Sequence, residues 1–226
     1  NQPRWTEPKK IEIEDGFDSM QKDKARQYRV IVSYLTSSWE DPVVHNDVDF
    51  LTDLLIHGDS SPMYKAIIKP GLAVKFFNNG FSDDTYNNYV SFGFEGIAEA
   101  DVEKVISLIQ ETLEQCYKDG FDEQRSEAII HENELYAHNL TDNMGLSFFS
   151  QIVSTSCYGI DPHKMLDSNF YIDNIRAHLK ENPKYYQELI KKVFLDNTHK
   201  LTLVAKPVEG FLDNISNKIK ENFEQQ

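Results

Sequence analysis

The stretch from Val43 to Lys69, VVHNDVDFLTDLLIHGDSSPMYKAIIK, decides the expected fold of the chain. Apolar residues recur in its first half at helical spacing and form one apolar stripe: Val44, Val48, Leu51, Leu54 and Leu55. Gly58 stands where a glycine commonly ends a helix. After it, the Ser60 or Ser61 hydroxyl can cap a second helix, and Pro62 can occupy its first turn because proline lacks only an N–H that would be unpaired there. The stretch therefore predicts a buried helix, a tight polar turn and a second helix.

The composition is that of a globular protein with a real core. The chain has 226 residues, of which 40% are hydrophobic and 27% charged. No apolar run approaches the roughly 20 residues of a membrane-spanning helix. A formal net charge of −14, from 37 acidic and 23 basic residues, argues against the basic patch that nucleic-acid binding needs. We expect a soluble intracellular domain whose partners include neither nucleic acid nor a membrane, and we interpret its start at Asn1 as that of a piece of a longer polypeptide.

The two cysteines, Cys116 and Cys157, are isolated from each other and lack Cys-x-x-Cys spacing. They make neither a disulfide framework nor a metal cluster, so a reducing compartment is expected. Both sit in apolar patterns, which predicts that both are small core residues.

Alternating apolar residues predict strands early and late in the chain. The segment Ile11 to Ile13 indicates an edge strand, Tyr28 to Leu35 a central strand followed by a loop over Thr36 to Pro42, and Lys200 to Ala205 a final strand. Two further strands should form an antiparallel hairpin: Gly71 to Asn78 and Asn88 to Glu95, joined by a polar tip over Asn78 to Asp84. In the second of these strands, alternation predicts that three residues face the core: Val90, Phe92 and Phe94.

Helical patterns fill the chain between these strands. The predicted helices are Glu99 to Tyr117, Asp122 to Asn139, Met144 to Cys157, Asn169 to Leu179, Pro183 to Phe194 and the amphipathic tail Phe211 to Phe223. Asn182 is expected to cap the fifth of them, with Pro183 at its first position. Strands early and late with helices massed between them predict an α+β fold, in which helices cover one face of a mostly antiparallel sheet.

The segment Leu54 to Ala66, LLIHGDSSPMYKA, resembles the "LLxGxSSPLYKAL" segment in the second homologous domain of pitrilysin/insulinase-type (M16) zinc peptidases. The closest group is the presequence-protease and falcilysin subfamily, and the resemblance spans about Val30 to Pro207. Further segments follow in that subfamily's order: Val32 to Leu35, Gly93 to Ile97, Val102 to Val105 with Thr112 and Leu113, Gly120 to Asp122, Asp161 and Pro162, and Leu195 to Lys200.

The resemblance implies a fold, an activity and partners. Residues 1–27 would be a linker and edge strand, residues 28–207 a catalytically silent second domain, and residues 208–226 a helix leading to the linker between two halves. In this family the halves close over unfolded peptides, and the zinc lies in the first domain. The partners would be the preceding zinc-binding domain and the C-terminal half of the same polypeptide. This piece would hold no cofactor and would be inactive alone, and the parent could belong to a mitochondrion or a plastid-type organelle.

One helix carries residues that suggest a metal site, His131 to His138. A zincin needs His-Glu-x-x-His, and the M16 family needs the inverted His-x-x-Glu-His, but Leu135 stands where the last histidine of either motif would be. His131, Glu134 and His138 still share one helical face. A solvated helix face is the expected reading, and a self-sufficient hydrolase using these three residues is the alternative. His57 is expected at a helix C-terminus, where the dipole favours a cation.

Binding is the remaining role. Ser60 and Ser61 lack the Gly-x-Ser-x-Gly context of a nucleophile. In the insulinase relatives, backbone near the corresponding turn and the following hairpin pairs with the N-terminal end of a substrate by strand addition. Carried over to this sequence, the substrate-binding positions are Gly58, Ser60, Ser61, Phe76, Phe77, Asn78, Asn79 and Gly80. A plain hairpin end is the competing interpretation, because insulinase has paired glycines where this chain has Asn78 and Asn79. A stand-alone, non-catalytic homologue acting as a binding or scaffold subunit is the alternative function.

Overall fold

The computed structural model of the chain describes residues 3–18, 20–21, 23–39, 42–138, 144–159, 161 and 168–224. Its strands are Lys9–Gly16 (β1), Tyr28–Ser38 (β2), Lys75–Phe76 (β3), Gly80–Ser82 (β4), Asn87–Ile97 (β5) and Lys200–Val208 (β6). Its α-helices are Pro42–Ile56 (α1), Val102–Asp119 (α2), Glu123–His138 (α3), Met144–Ser156 (α4), Ser168–Glu181 (α5), Tyr185–Ile190 (α6) and Phe211–Glu224 (α7). Two π-helical segments and one 3₁₀ turn complete the fold: Tyr64–Ile68, Lys191–Leu195 and Glu99–Asp101.

The strands form one sheet in the order β1-β6-β2-β5-β3, with β4 also paired to β5. The β1–β6 pair is parallel, and the other pairs are antiparallel. The predicted mostly antiparallel sheet is confirmed, as are its central strand β2 and its edge strand β1. Since β1 pairs with β6 along its whole length, the N-terminal segment belongs to the sheet.

The two faces of the sheet differ in burial. One face carries residues that are fully buried against the helices: the predicted inward residues Val90, Phe92 and Phe94 from β5, and Val30, Val32 and Tyr34 from β2. On the other face, cross-strand pairs place Ile11, Leu203, Ile31 and Gly93 in one row. We call this second face the open face. Ile11 and Ile13 on it are 45% and 43% exposed, so large apolar side chains reach solvent there.

The organising stretch folds as predicted. Helix α1 ends at Ile56, and Gly58 follows with a φ of +69°, a left-handed conformation that costs glycine little. Ser61 is fully buried, and its Oγ accepts a hydrogen bond from the N–H of Tyr64 at 3.4 Å. The chain is helical from Pro62, and the segment Tyr64–Ile68 continues with π-type bonding.

The predicted strand Gly71 to Asn78 is wrong over most of its length, because only Lys75–Phe76 is a strand. The N–H of Leu72 donates instead to the carbonyl of Ile67, at 3.1 Å, so the start of the segment closes the preceding helical turn. The polar tip also contains the strand β4 instead of being a turn throughout. The predicted antiparallel pairing with β5 is confirmed.

Three smaller predictions are also corrected. The β2 strand continues to Ser38 into the expected loop. The helix expected from Pro183 begins at Tyr185, because Asn182 Oδ1 accepts the N–H of Lys184 at 3.0 Å in a turn that precedes it. Cys157 is exposed beyond the end of α4, whereas Cys116 is buried as predicted.

The other predicted helices are confirmed to within a few residues, and Asn139, Ile160 and Pro162 lie outside the described residues. None of the helices described in the structure is long and apolar enough to cross a membrane.

Candidate functional site

The turn after α1 presents part of the predicted binding segment to solvent. Gly58 and Ser60 are exposed, whereas Ser61 is fully buried and caps the following helical turn. Ser61 therefore has a structural role. Of these three residues, Gly58 and Ser60 are the ones that a ligand could reach.

Arg125 of α3 fastens this turn to the body of the protein. Its guanidinium donates to the carbonyl of Leu54 at 3.2 Å and to the carbonyl of His57 at 2.6 Å. Carbonyls at the end of a helix have no partner within the helix, so Arg125 supplies donors to this end of α1. It also donates to the Ser60 hydroxyl at 2.5 Å. The cation expected at this helix end is thus Arg125, while the ring of His57 pairs with Glu132 at 3.2 Å. No local pattern in the sequence points to Arg125, since it lies far along the chain from the turn.

The second predicted segment contains residues with different roles. The ring of Phe76 packs on Phe94 of the core at 5.1 Å between centroids. The ring of Phe77 lies under the Arg29 guanidinium at 4.9 Å. Asn78 and Asn79 are exposed, and Asn78 has a φ of +46°. Phe76 is therefore a core residue, and the accessible part of the segment is its backbone around Asn78 and Asn79.

Helix α1, which leads into the exposed turn, packs near the start of β4. The Ile56 side chain at the end of α1 lies 4.0 Å from the position that a Cβ atom on Gly80 would occupy. We therefore consider the predicted binding positions of the two segments together as one candidate surface. We call this surface the β3–β4 edge, formed by Gly58, Ser60 and Phe76 to Gly80.

A row of charged side chains crosses the open face beside this edge. Arg29 pairs with Asp15 and with Glu95, the latter at 3.3 Å, and Glu95 also pairs with Lys75 at 2.7 Å. Glu95 is only 8% exposed, so its two cationic partners compensate a nearly buried carboxylate. These ion pairs fix the position of the Arg29 guanidinium, which lies over the ring of Phe77.

Two buried polar clusters were not predicted from the sequence. His45 stacks on Trp39 at 3.8 Å, accepts from the Asn88 amide at 2.8 Å and faces Asp83 at 3.6 Å. Burial lowers the pKa of His45 to about 4, so the ring is neutral near pH 7. The cluster sits next to β4, since Phe81 meets the His45 ring edge-on at 4.8 Å.

The second cluster surrounds Asp47 of α1, which is 1% exposed. Its carboxylate accepts from the hydroxyls of Tyr185 and Tyr186 at 2.7 and 3.0 Å and contacts His178 Nδ1 at 3.1 Å. These contacts tie α5 and α6 to α1. Burial and the nearby Asp47 raise the pKa of Tyr186, so its hydroxyl stays protonated and remains a donor.

The helix face suggested as a metal site is engaged in ion pairs. Glu134 accepts from Arg176 at 2.8 Å and lies 3.4 Å from His131, and the side chain of His138 lies outside the described residues. Leu135 occupies the position where either zinc motif needs a histidine. Within the part of the chain that the structure describes, no three His, Cys, Asp or Glu side chains are grouped to hold a metal ion. The residues present do not fit a zinc site.

Comparison with known families and structures identifies the chain. The family profile described as the peptidase M16 inactive domain matches residues 1–133. The chain belongs to the M16 peptidase family. The mitochondrial presequence protease of Mus musculus is 35% identical over 226 residues, all of this chain and 22% of the relative. That of Xenopus tropicalis is 33% identical over 213 residues, 94% of this chain and 21% of the relative. The M16 domain spans about a fifth of the length of these curated relatives.

Solved structures agree on the fold of this M16 domain. The M16 inactive domain from Pseudomonas fluorescens superposes with a TM-score of 0.60 at 12% identity, covering 89% of this chain and 43% of that one. A conserved protein from Enterococcus faecalis gives 0.62 at 16% identity, covering 92% and 44%. At such identities the likeness concerns the fold alone, and it confirms the α+β M16 architecture predicted from the sequence.

Proposed function

We propose that this domain is the second, catalytically silent domain of a zinc metalloendopeptidase that degrades unfolded peptides. In this proposal its open face forms part of the wall of the substrate chamber, and its β3–β4 edge binds one end of the substrate. The observation that carries the proposal is the edge itself, where exposed backbone at Asn78 and Asn79 lies between the two segments that pair with β5.

The chemistry of the edge supports binding of an extended peptide. In the described part of the chain, the main-chain N–H groups of Asn78 and Asn79 have no hydrogen-bond partner. An exposed edge with unpaired amides can accept a further strand, whose backbone supplies the missing acceptors. Recognition through the backbone is largely independent of peptide sequence, which suits an enzyme that removes unfolded peptides of many sequences.

The remaining features of the parent follow from the family. Its zinc would lie in a preceding domain with the His-x-x-Glu-His motif, and its partners would be that domain and the C-terminal half of the same polypeptide. The curated relatives are named as mitochondrial presequence proteases, so we propose a mitochondrial or related location. We also propose that the second domain comprises residues 28–207, after a linker and edge strand and before a C-terminal helix.

Peptide binding by the 226-residue chain tests the proposed role. The probe is an unfolded 16-residue peptide rich in Ala, Ser, Leu and Arg, with a free N-terminus and a C-terminal fluorescein, followed by fluorescence anisotropy. We expect saturable binding without cleavage. The same peptide N-methylated at alternate residues should bind at least about tenfold more weakly, because the methyl groups crowd the edge and keep the peptide carbonyls from reaching the N–H groups of Asn78 and Asn79.

Equal binding of the two peptides would show that backbone pairing is not involved. Absence of binding by the unmodified peptide, at concentrations where the chain is folded, would remove the substrate-binding part of the proposal. The chamber-wall role would then stand alone.

A further inference from the structure

The edge strand leaves the regular ladder opposite Gly93 of β5. Phe76 pairs with Phe94 and Gly80 pairs with Ser91, so residues 77–79 lie opposite residues 92–93. An extra residue on one strand of an antiparallel pair makes a β-bulge, which bends the strand and removes residues from the ladder. The accessible part of the β3–β4 edge is therefore a bulge over residues 77–79.

Gly93 provides the space in which this bulge lies. A Cβ atom on Gly93 would be 1.7 Å from the carbonyl oxygen of Phe77, 2.9 Å from its carbonyl carbon and 3.0 Å from the carbonyl oxygen of Asn78. All three atoms belong to the main chain, so no side-chain rotation can relieve the overlap. A glycine within a strand often marks such a close approach of another backbone. Any side chain at position 93 would force the bulge to move.

A main-chain hydrogen bond and a contact with Arg29 hold the bulge in one conformation. The N–H of Phe77 donates to the carbonyl of Gly93 at 2.8 Å, and the Phe77 ring lies under Arg29. Asn78 adopts a left-handed φ of +46°, which asparagine tolerates better than most residues, and Gly80 has a φ of +117°. The bulge is thus a built feature of the edge, and its geometry depends on Gly93 beneath it.

We infer that Gly93 is a positioning residue for peptide binding. The bulge over Gly93 takes the amides of Asn78 and Asn79 out of the ladder and leaves them at the surface, where an extended peptide can pair with them. The inference rests on the proposed function, since it assigns to Gly93 the geometry of the same binding edge. Gly93 itself is buried and touches no ligand; it acts through the backbone of Phe77 and Asn78.

Substitution of two glycines by alanine in the 226-residue chain tests this inference. Gly93→Ala should weaken binding of the same labelled 16-residue peptide by about tenfold or more, the equivalent of losing a backbone hydrogen bond or two. Gly145→Ala is the matched control, because a Cβ on Gly145 in α4 would meet nothing within 4 Å. Its peptide affinity should equal that of the wild type. Amide chemical shifts of residues 77–80 should move in Gly93→Ala and stay unchanged in Gly145→Ala.

A deletion variant keeps the test decisive if Gly93→Ala does not fold. Deletion of Asn78 leaves two residues opposite residues 92–93 and removes the bulge, so the strand can pair regularly. This variant should fold and lose peptide binding, and Gly93→Ala should lower its Tm much less than it lowers that of the wild type. That rescue would not occur if Gly93 were only a packing residue.

The outcomes separate the two proposals. Absence of peptide binding by the wild type overturns both the proposed binding function and the role of Gly93. Binding by the wild type that persists unchanged in Gly93→Ala, or in the folded deletion variant, overturns only the role of Gly93.

Discussion

At the scale of single residues, Arg125 holds the exposed turn at the end of α1. Its guanidinium satisfies the carbonyls of Leu54 and His57 and also binds the hydroxyl of Ser60. Arg125→Met keeps the aliphatic stem and removes these bonds, so it should lower the free energy of unfolding by about 1–3 kcal/mol. Urea denaturation followed by circular dichroism measures the loss.

Arg176→Met is the matched control for Arg125→Met. Arg176 also lies on a helix of the outer layer, but it makes ion pairs with Glu127 and Glu134 at a surface where its side chain is 40% exposed. Such pairs contribute less than about 1 kcal/mol. If both variants lost the same stability, the carbonyl contacts of Arg125 would be shown to matter no more than a surface ion pair.

A second prediction at this scale concerns His45. Its pKa is about 4 in the folded chain because of burial, against 6.5 for an ordinary histidine. Between these values the unfolded chain binds a proton that the folded chain excludes, so the contribution of His45 to stability should fall by on the order of 3 kcal/mol as the pH is lowered from 6.5 to 4. Thermal unfolding over this pH range, compared between wild type and His45→Gln, isolates the contribution of the ring.

His45→Gln should reduce the slope of stability against pH even if it lowers stability at every pH. The carboxylate of Asp83 faces the ring, but it is 48% exposed and 3.6 Å away, so burial controls the sign. Parallel pH profiles for the two proteins would mean that His45 does not exclude its proton in the folded state.

At the scale of elements, the sequence predicted what depends on local periodicity. The apolar stripe of α1 is buried from Val48 to Leu55, and the predicted inward residues of β5 are buried as expected. Gly58 ended α1 as predicted because a glycine adopts the left-handed φ found there. These features depend on neighbours along the chain and need no knowledge of the tertiary fold.

The prediction was wrong where tertiary contacts decide. Leu72 looked like part of a strand, yet its amide binds the carbonyl of Ile67. The bulge opposite Gly93 depends on the register between two strands, which no local pattern records. The cluster around Asp47 joins residues more than 130 positions apart, so its members appeared in the sequence only as isolated polar residues. The candidate binding positions came from the family resemblance, and the structure separates the accessible ones from the core residues Ser61 and Phe76.

At the scale of the whole molecule, several large apolar side chains remain exposed to solvent. Ile11 and Ile13 lie on the open face, and on α4 the side chains of Leu146, Phe149 and Val153 are 70%, 63% and 46% exposed at helical spacing. Large exposed apolar patches commonly mark surfaces that contact other protein. These exposed side chains are therefore the places where we expect this domain to contact other protein.

The incomplete zinc motif on α3 gives the last prediction. In both zinc motifs considered above, two histidines of one helix bind the zinc ion and a glutamate activates the zinc-bound water. In this chain Leu135 replaces the last histidine of either motif, and Glu134, which holds the glutamate position of the inverted motif, accepts from Arg176 at 2.8 Å. The 226-residue chain purified with zinc in the buffer and then desalted should retain well under one zinc per chain by mass spectrometry. It should also show no chelator-sensitive cleavage of a fluorogenic peptide.

His131→Ala is the control that shows whether any bound zinc lies on the face of α3. If the chain retained one zinc per molecule and lost it, together with peptide cleavage, in His131→Ala, the face of α3 would be a metal site and the domain a hydrolase by itself. Retention of zinc that is equal in wild type and His131→Ala would place the metal elsewhere on the acidic surface. Absence of zinc and cleavage in both proteins would support the proposal that this domain does not hydrolyse peptides by itself.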